Sequence, residues 1–147
     1  MTFLASIYMN TVALFNDSFE KCLHGRYSTF FERFYRNFEQ RQPEVRRMFQ
    51  GTDVQRRYDM FEESILILVD YSANGTASEN LERLATLHTR KGATPEMFDE
   101  WMDALIQTLR EVDPQFDDNA EFAWRDILST GLEYLKNSAR VAIQKRD

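Results

Sequence analysis

Cysteine, glycine, proline and histidine are all scarce in this chain. A single cysteine, Cys22, excludes any internal disulfide and fits a reducing, cytoplasmic setting. Five glycines and three prolines in 147 residues supply too few turn formers for a sheet of many short strands. Basic residues number 18 against 24 acidic ones, a formal charge of −6, so no basic surplus exists to hold a nucleic acid. The uncharged apolar run Ser64 to Val69 is far too short to span a membrane. The first residues, MTFLASIYMN, lack the basic start and small-residue cleavage site of a signal peptide. Without a secretory route, the sequon Asn74-Gly75-Thr76 reads as a turn. There is no internal repeat and no glycine-rich phosphate loop. No Ser or Cys nucleophile stands in a recognisable motif with either histidine.

What is abundant is aromatic: twelve Phe, six Tyr and two Trp. They recur at helical spacing, and the length suits one domain, residues 1–147, with a proper core. The spacing of Val12, Leu14, Phe15, Phe19, Cys22 and Leu23 predicts a helix over 9–23, ended by Gly25. Residues 1–10 are read as an N-terminal extension, with Phe3, Leu4, Ile7 and Tyr8 either packed as an extra turn or loose. His24 beside Gly25 is read as solvated. A second helix, Tyr27 to Gln42, carries the face Phe30, Phe31, Phe34, Tyr35 and Phe38. Pro43 breaks it and starts a short turn to Phe49. Thr52 or Asp53 caps a third long helix to Tyr71, with Val54, Phe61, Ile65 and Leu68 on one face and Arg57 close to it. Ser72 to Gly75 is expected as a loop. Thr76 or Ser78 caps a helix closed by Lys91-Gly92. Pro95 opens a helix to Val112 that buries Phe98, Trp101, Met102, Leu105 and Leu109. The last helix, Asp118 to Lys145, turns Phe122, Trp124, Ile127, Leu128, Gly131, Leu132 and Leu135 inward. The expected class is all-α, with six main helices and a short turn after Pro43.

One residue is out of keeping with its neighbours. In the stretch Leu81–His88, LERLATLH, the side chains of Leu81, Leu84, Ala85 and His88 share a helix face. An imidazole among leucines is either a core histidine bonded to a backbone carbonyl or a metal ligand. No His, Cys or acid follows at i+3 or i+4, so a metal held here would need its other ligands from a cofactor. Haem brings four nitrogens and a large apolar plate.

In order and spacing these features resemble the single-domain bacterial globins over about Val12 to Ala142. FFERFYRNF leads to PEVRRMF; LATLH is similar to the proximal-histidine helix. GATPEMFDEWMDAL and AWRDILSTGL are similar to the two helices that follow it. The resemblance implies haem b (iron protoporphyrin IX) between the third long helix and the His88 helix, with His88 as axial ligand. It implies that Phe49 wedges the haem and that Leu84 and Phe98 line the proximal side. Tyr35 falls where bacterial members place the tyrosine that donates to the diatomic ligand. Arg57 falls at the distal gate, where the family more often has His or Gln, with Gln55 and Arg56 as alternative registers; Phe61 lies one turn deeper. Arg57 is read as holding an anion such as nitrite, clamping a haem propionate, or swinging out to solvent.

Two departures bear on activity. Flavohaemoglobins polarise the proximal histidine with a Tyr and a Glu; here those positions hold Phe98 and Ala139. The resemblance therefore implies reversible binding of oxygen, carbon monoxide or nitric oxide at five-coordinate iron. The alternatives are a nitric oxide dioxygenase, or a nitrite- or peroxide-handling enzyme, served by a separate reductase, and a haem-free sensor domain. Partners expected are a gas ligand and, as an open alternative, a homodimer through the last two helices; nucleic acid and membrane are not expected.

Overall fold

Seven helices follow one another: α1 (Phe3–Leu23), α2 (Tyr27–Arg41), α3 (Glu44–Met48), α4 (Val54–Asn74), α5 (Glu79–Arg90), α6 (Pro95–Val112) and α7 (Asp118–Arg146). The computed structural model describes residues 3–23 and 27–146, with side chains from residue 10 onward apart from 24–27. His24, Gly25 and the packing of Phe3, Leu4, Ile7 and Tyr8 lie outside the described residues. Among the described residues there is no strand, and no helix is long and apolar enough to cross a membrane. The expected six long helices and one short turn are therefore present.

Local chemistry sets the boundaries. Asp53 caps α4, its carboxylate accepting the Gln55 N–H at 2.8 Å. Ser78 caps α5 by accepting from the Leu81 N–H at 3.1 Å. Pro95 occupies the first turn of α6, where a missing N–H is harmless. The expected loop at Ser72 to Asn74 is instead helical. Nothing in those residues breaks a helix, and Asn74 Nδ2 donates to Asp70 Oδ1 at 2.6 Å, one turn back. The chain turns only at Gly75, whose φ of 71° is left-handed and whose N–H donates to the Tyr71 carbonyl.

Helix α7 runs along α4, α1, α5 and α6, while α2 lies on α6. Trp124 anchors the α1 contact: its Nε1 donates to Ser18 Oγ at 2.8 Å, and its ring meets Phe15 edge-on at 4.6 Å. The aromatic face of α2 is sealed, with Phe30, Phe31 and Phe34 at most 1% exposed and all three rings against Phe61 of α4. Asn37 ties α2 to α6 by donating to Thr108 Oγ1 at 3.0 Å.

Two expected core residues lie outside. Phe122 is 60% exposed. At 100° per residue it stands about 160° from Trp124, on the opposite side of α7 from the stripe through Ile127, Leu128 and Gly131. Val54 is on the right face of α4 but is its first residue, beyond the reach of neighbouring helices, and is 55% exposed.

Helices α4 and α7 approach closely at Gly131. A Cβ there would lie 2.4 Å from Leu68 Cδ2 and 3.3 Å from Leu68 Cα. The first atom can swing away; the second belongs to the α4 backbone and cannot. Gly131→Val is therefore expected to destabilise the fold by about 1–3 kcal/mol, the range for overpacked cores. Urea unfolding checks this, and a midpoint at or above that of the parent chain would contradict the packing described.

Candidate functional site

The His88 side of the site is built by the end of α5. Leu81 and Ala85 are buried, which fixes the helix face, and Leu84 and His88 follow on it half-buried. The His88 Nδ1 lies 2.8 Å from the Leu84 carbonyl oxygen. A carbonyl can only accept, so Nδ1 carries the proton and Nε2 is left with a bare lone pair. Burial pushes the imidazole below its ordinary pKa, against the opposing pull of the Leu84 carbonyl, and the ring is held neutral. The backbone here is pinned as well. Gly92 turns with φ 83°, so that the Ala93 N–H reaches the His88 carbonyl at 3.0 Å. Arg146 Nη2 donates to the Thr89 carbonyl at 3.0 Å. Phe98 of α6 stands beside the imidazole, ring centroids 5.4 Å apart.

The second side gathers Tyr35 from α2, Phe49 from the corner after α3, and Arg57 from the first turns of α4. Tyr35 meets the Phe49 ring edge-on at 5.4 Å and donates its hydroxyl to the Arg57 carbonyl at 3.2 Å. The Arg57 guanidinium lies over the Phe49 ring, 5.3 Å from its centroid, and donates through Nη2 to the Phe49 carbonyl at 3.1 Å. Arg57 Nε is sealed from solvent and meets no acceptor. Burial raises the Tyr35 phenol above its ordinary pKa; the Arg57 charge opposes the shift and Tyr58 adds to it. Gln55 and Arg56, the alternative registers, are both exposed. Gln55 bonds Asp59, and Arg56 lies 3.8 Å from Glu63, so Arg57 is the residue turned inward.

Tyr35, Phe49 and Arg57 thus form one group, and Leu84, His88 and Phe98 another. Among the described residues no hydrogen bond or ring contact joins the two directly. They are linked through α6. Phe98 meets His88, and Trp101, about 4.5 Å further along the helix axis, meets Phe61 at 5.6 Å and Phe34 at 6.0 Å. Helical spacing predicts Trp101 in the core; it is half-buried and connects the two sides. Its i, i+3 spacing from Phe98 was the available signal.

Among the described residues no group of three or more His, Cys, Asp or Glu could hold a metal ion. A metal taken by the bare Nε2 of His88 must bring its remaining ligands with it. One neutral imidazole beside aromatic rings, with no competing ligands, is a donor set that fits a metal on a large apolar frame.

Comparison with known proteins bears on the family and the fold. The family model for the globins matches residues 29–133, more than half of the chain. A solved Pseudomonas aeruginosa structure, described as structurally highly homologous to a human haemoglobin, is 28% identical. It aligns with a TM-score of 0.78, covering 88% of this chain and 98% of that one. No curated protein matches.

The Tyr35 shift has a direct consequence. A phenol whose folded pKa lies above its unfolded one contributes stability that is intact below pH 10 and declines as pH rises past it. In a spectrophotometric titration, Tyr35→Phe should leave the phenolate absorbance gained below about pH 11 unchanged. Loss of one phenolate's worth of signal there would place Tyr35 in solvent.

Proposed function

Because the chain belongs to the globin family, we propose that it binds haem b and, through it, oxygen or another diatomic ligand reversibly. The observation that carries this reading is the His88 tautomer, with Nδ1–H held by the Leu84 carbonyl and Nε2 left bare. The single cysteine cannot supply the two-cysteine attachment of a c-type haem, which supports the b type. Haem, when bound, supplies a metal centre with one open position for a small gas.

The chain's own residues do the rest. His88 would hold the metal through its bare Nε2, its ring oriented by the Leu84 carbonyl as outer partners orient metal-binding histidines. Leu84 and Phe98 line that side; Phe49 and Phe61 wall the other and keep water away. Tyr35 is the donor available to a ligand that draws electron density onto itself. Its proton is already given to the Arg57 carbonyl, so donation to a ligand exchanges one hydrogen bond for another. Such a bond contributes about 0.5–1.5 kcal/mol, and only the difference between the two is gained. The neighbours of His88 favour binding over dioxygenase chemistry, since its partners are a neutral carbonyl and the Phe98 ring rather than a carboxylate. Dioxygenase turnover would in addition need a separate reductase.

The test is reconstitution with haemin. The parent chain should develop an intense near-ultraviolet band that shifts on reduction and again with carbon monoxide. His88→Gly should lose that spectrum and regain it with added imidazole. An identical spectrum in His88→Gly would remove His88 from the metal. Tyr35→Phe should speed oxygen release only about two- to tenfold, as expected of a small net hydrogen-bond difference, measured by stopped flow; an unchanged rate would remove Tyr35 from the ligand.

A further inference from the structure

Acids outnumber bases in this chain, and most bases are matched. Lys21, Arg33, Arg41, Arg110, Arg125 and Lys136 each lie within ion-pair distance of a carboxylate. Arg90, Lys91, Lys145 and Arg146 are all exposed, and none has such a partner among the described residues. The fold brings these four together. Arg146 Nη2 donates to the Thr89 carbonyl at 3.0 Å, so the C-terminal ends of α5 and α7 meet, and each of the four lies within two residues of that bond. A cation is favourable at a helix C-terminus, and Arg146 supplies one to α5. The side chains of Arg90, Lys91 and Lys145 make no hydrogen bond among the described residues. The nearest acids along the chain are Glu96, in the first turn of α6, and Asp147, which lies outside the described residues. Two aliphatic side chains stand out beside these charges. Leu87 is 45% exposed, one turn before Lys91, and Ile143 is 37% exposed, one turn before Arg146. A basic side chain one turn beyond such a residue lays its stem on apolar matter and keeps its charge in water.

We infer that the joined ends of α5 and α7 form a docking surface for an anionic lipid membrane, met from one side and not crossed. The four charges are of one sign, and three of them are held by no partner. That suits a layer of mobile anionic headgroups better than the fixed, mixed charges of a protein surface. Leu87 and Ile143 enter the headgroup layer while the bases meet its phosphates. The rest of the chain carries the acid surplus and is repelled by the same surface. The protein therefore binds in one orientation, with the end of the His88 helix toward the lipid. Neither the net charge nor any apolar run betrays this surface in the sequence, because its two halves belong to different helices.

Vesicle flotation of the full chain tests this. Vesicles of equal parts phosphatidylglycerol and phosphatidylcholine should carry the chain at low salt and release it at high salt, and vesicles of phosphatidylcholine alone should not carry it. Combining Arg90→Gln, Lys91→Gln and Lys145→Gln should weaken partitioning about a hundredfold, since each base near an anionic surface is worth about fivefold. Arg46→Gln with Arg47→Gln removes two bases from α3 whose side chains are 78% and 76% exposed, and should leave partitioning unchanged. A chain that does not partition onto the anionic vesicles overturns the inference, and so does an equal loss per base in the α3 variant. Leu87→Ser with Ile143→Ser should weaken partitioning several-fold. If that variant partitions as the parent does and poly-glutamate displaces the parent from vesicles, the surface recognises an acidic polypeptide and the lipid assignment fails. Should the triple variant not fold, Lys145→Gln alone is expected to lose about fivefold; parent-like partitioning overturns the inference. None of these measurements needs haem, so their outcome is independent of the haem reading.

Discussion

The hydrogen bond from His88 Nδ1 to the Leu84 carbonyl, 2.8 Å long, is the interaction on which the site depends. It selects one tautomer of a ring that would otherwise sample two, and leaves Nε2 as the only lone pair. Burial reinforces the choice by keeping the ring neutral, since a proton on Nε2 would have to be carried in apolar surroundings. That bond is local, one helical turn long, but its direction is set from outside α5. Leu81 and Ala85 are buried, and the ends of the helix are fixed by the Ser78 cap, the Gly92 turn and Arg146 of α7. A site of this kind needs a rigid helix end more than it needs further ligands.

The opposite side is organised by a single residue using both its parts. The backbone carbonyl of Arg57 receives Tyr35 from α2, and its side chain reaches back to the Phe49 carbonyl in the corner. Two segments, α2 and the corner after α3, are thereby held to the start of α4. The polar groups so used sit within aromatic surroundings, where each hydrogen bond is stronger and each missing one more costly than in water.

Helix α6 relates the two sides. Phe98 and Trp101 are one turn apart and touch His88 and Phe61 respectively, so the spacing of the proximal and distal walls follows from the pitch of one helix. The helix is itself held on α2 through Asn37 and Thr108. On the reading proposed above, an imidazole partnered by a neutral carbonyl, facing a donor across the site, would favour holding a ligand over converting it.

The caps before α4 and α5, each to within two candidates, the breaks at Pro43 and Gly92, and the inward faces of α2, α5 and α6 were legible from residue order. Each is decided by residues within a turn or two of one another, through backbone geometry and the 3.6-residue period. His88 stood out for the same reason, being a polar ring on an apolar stripe. Other features were settled only when the helices were set against each other. Phe122 and Val54 are apolar and yet exposed, because burial requires a neighbouring helix opposite the residue and neither has one. Arg57 rather than Gln55 or Arg56 turns inward because the Phe49 carbonyl and ring are there to receive it. The Tyr35 hydroxyl meets a main-chain carbonyl 22 residues away, and Trp101 meets Phe61 across two helices. Pattern within a helix reports which side faces the core, but not what stands across from it. That second fact is a property of helix positions in space, and no local spacing encodes it.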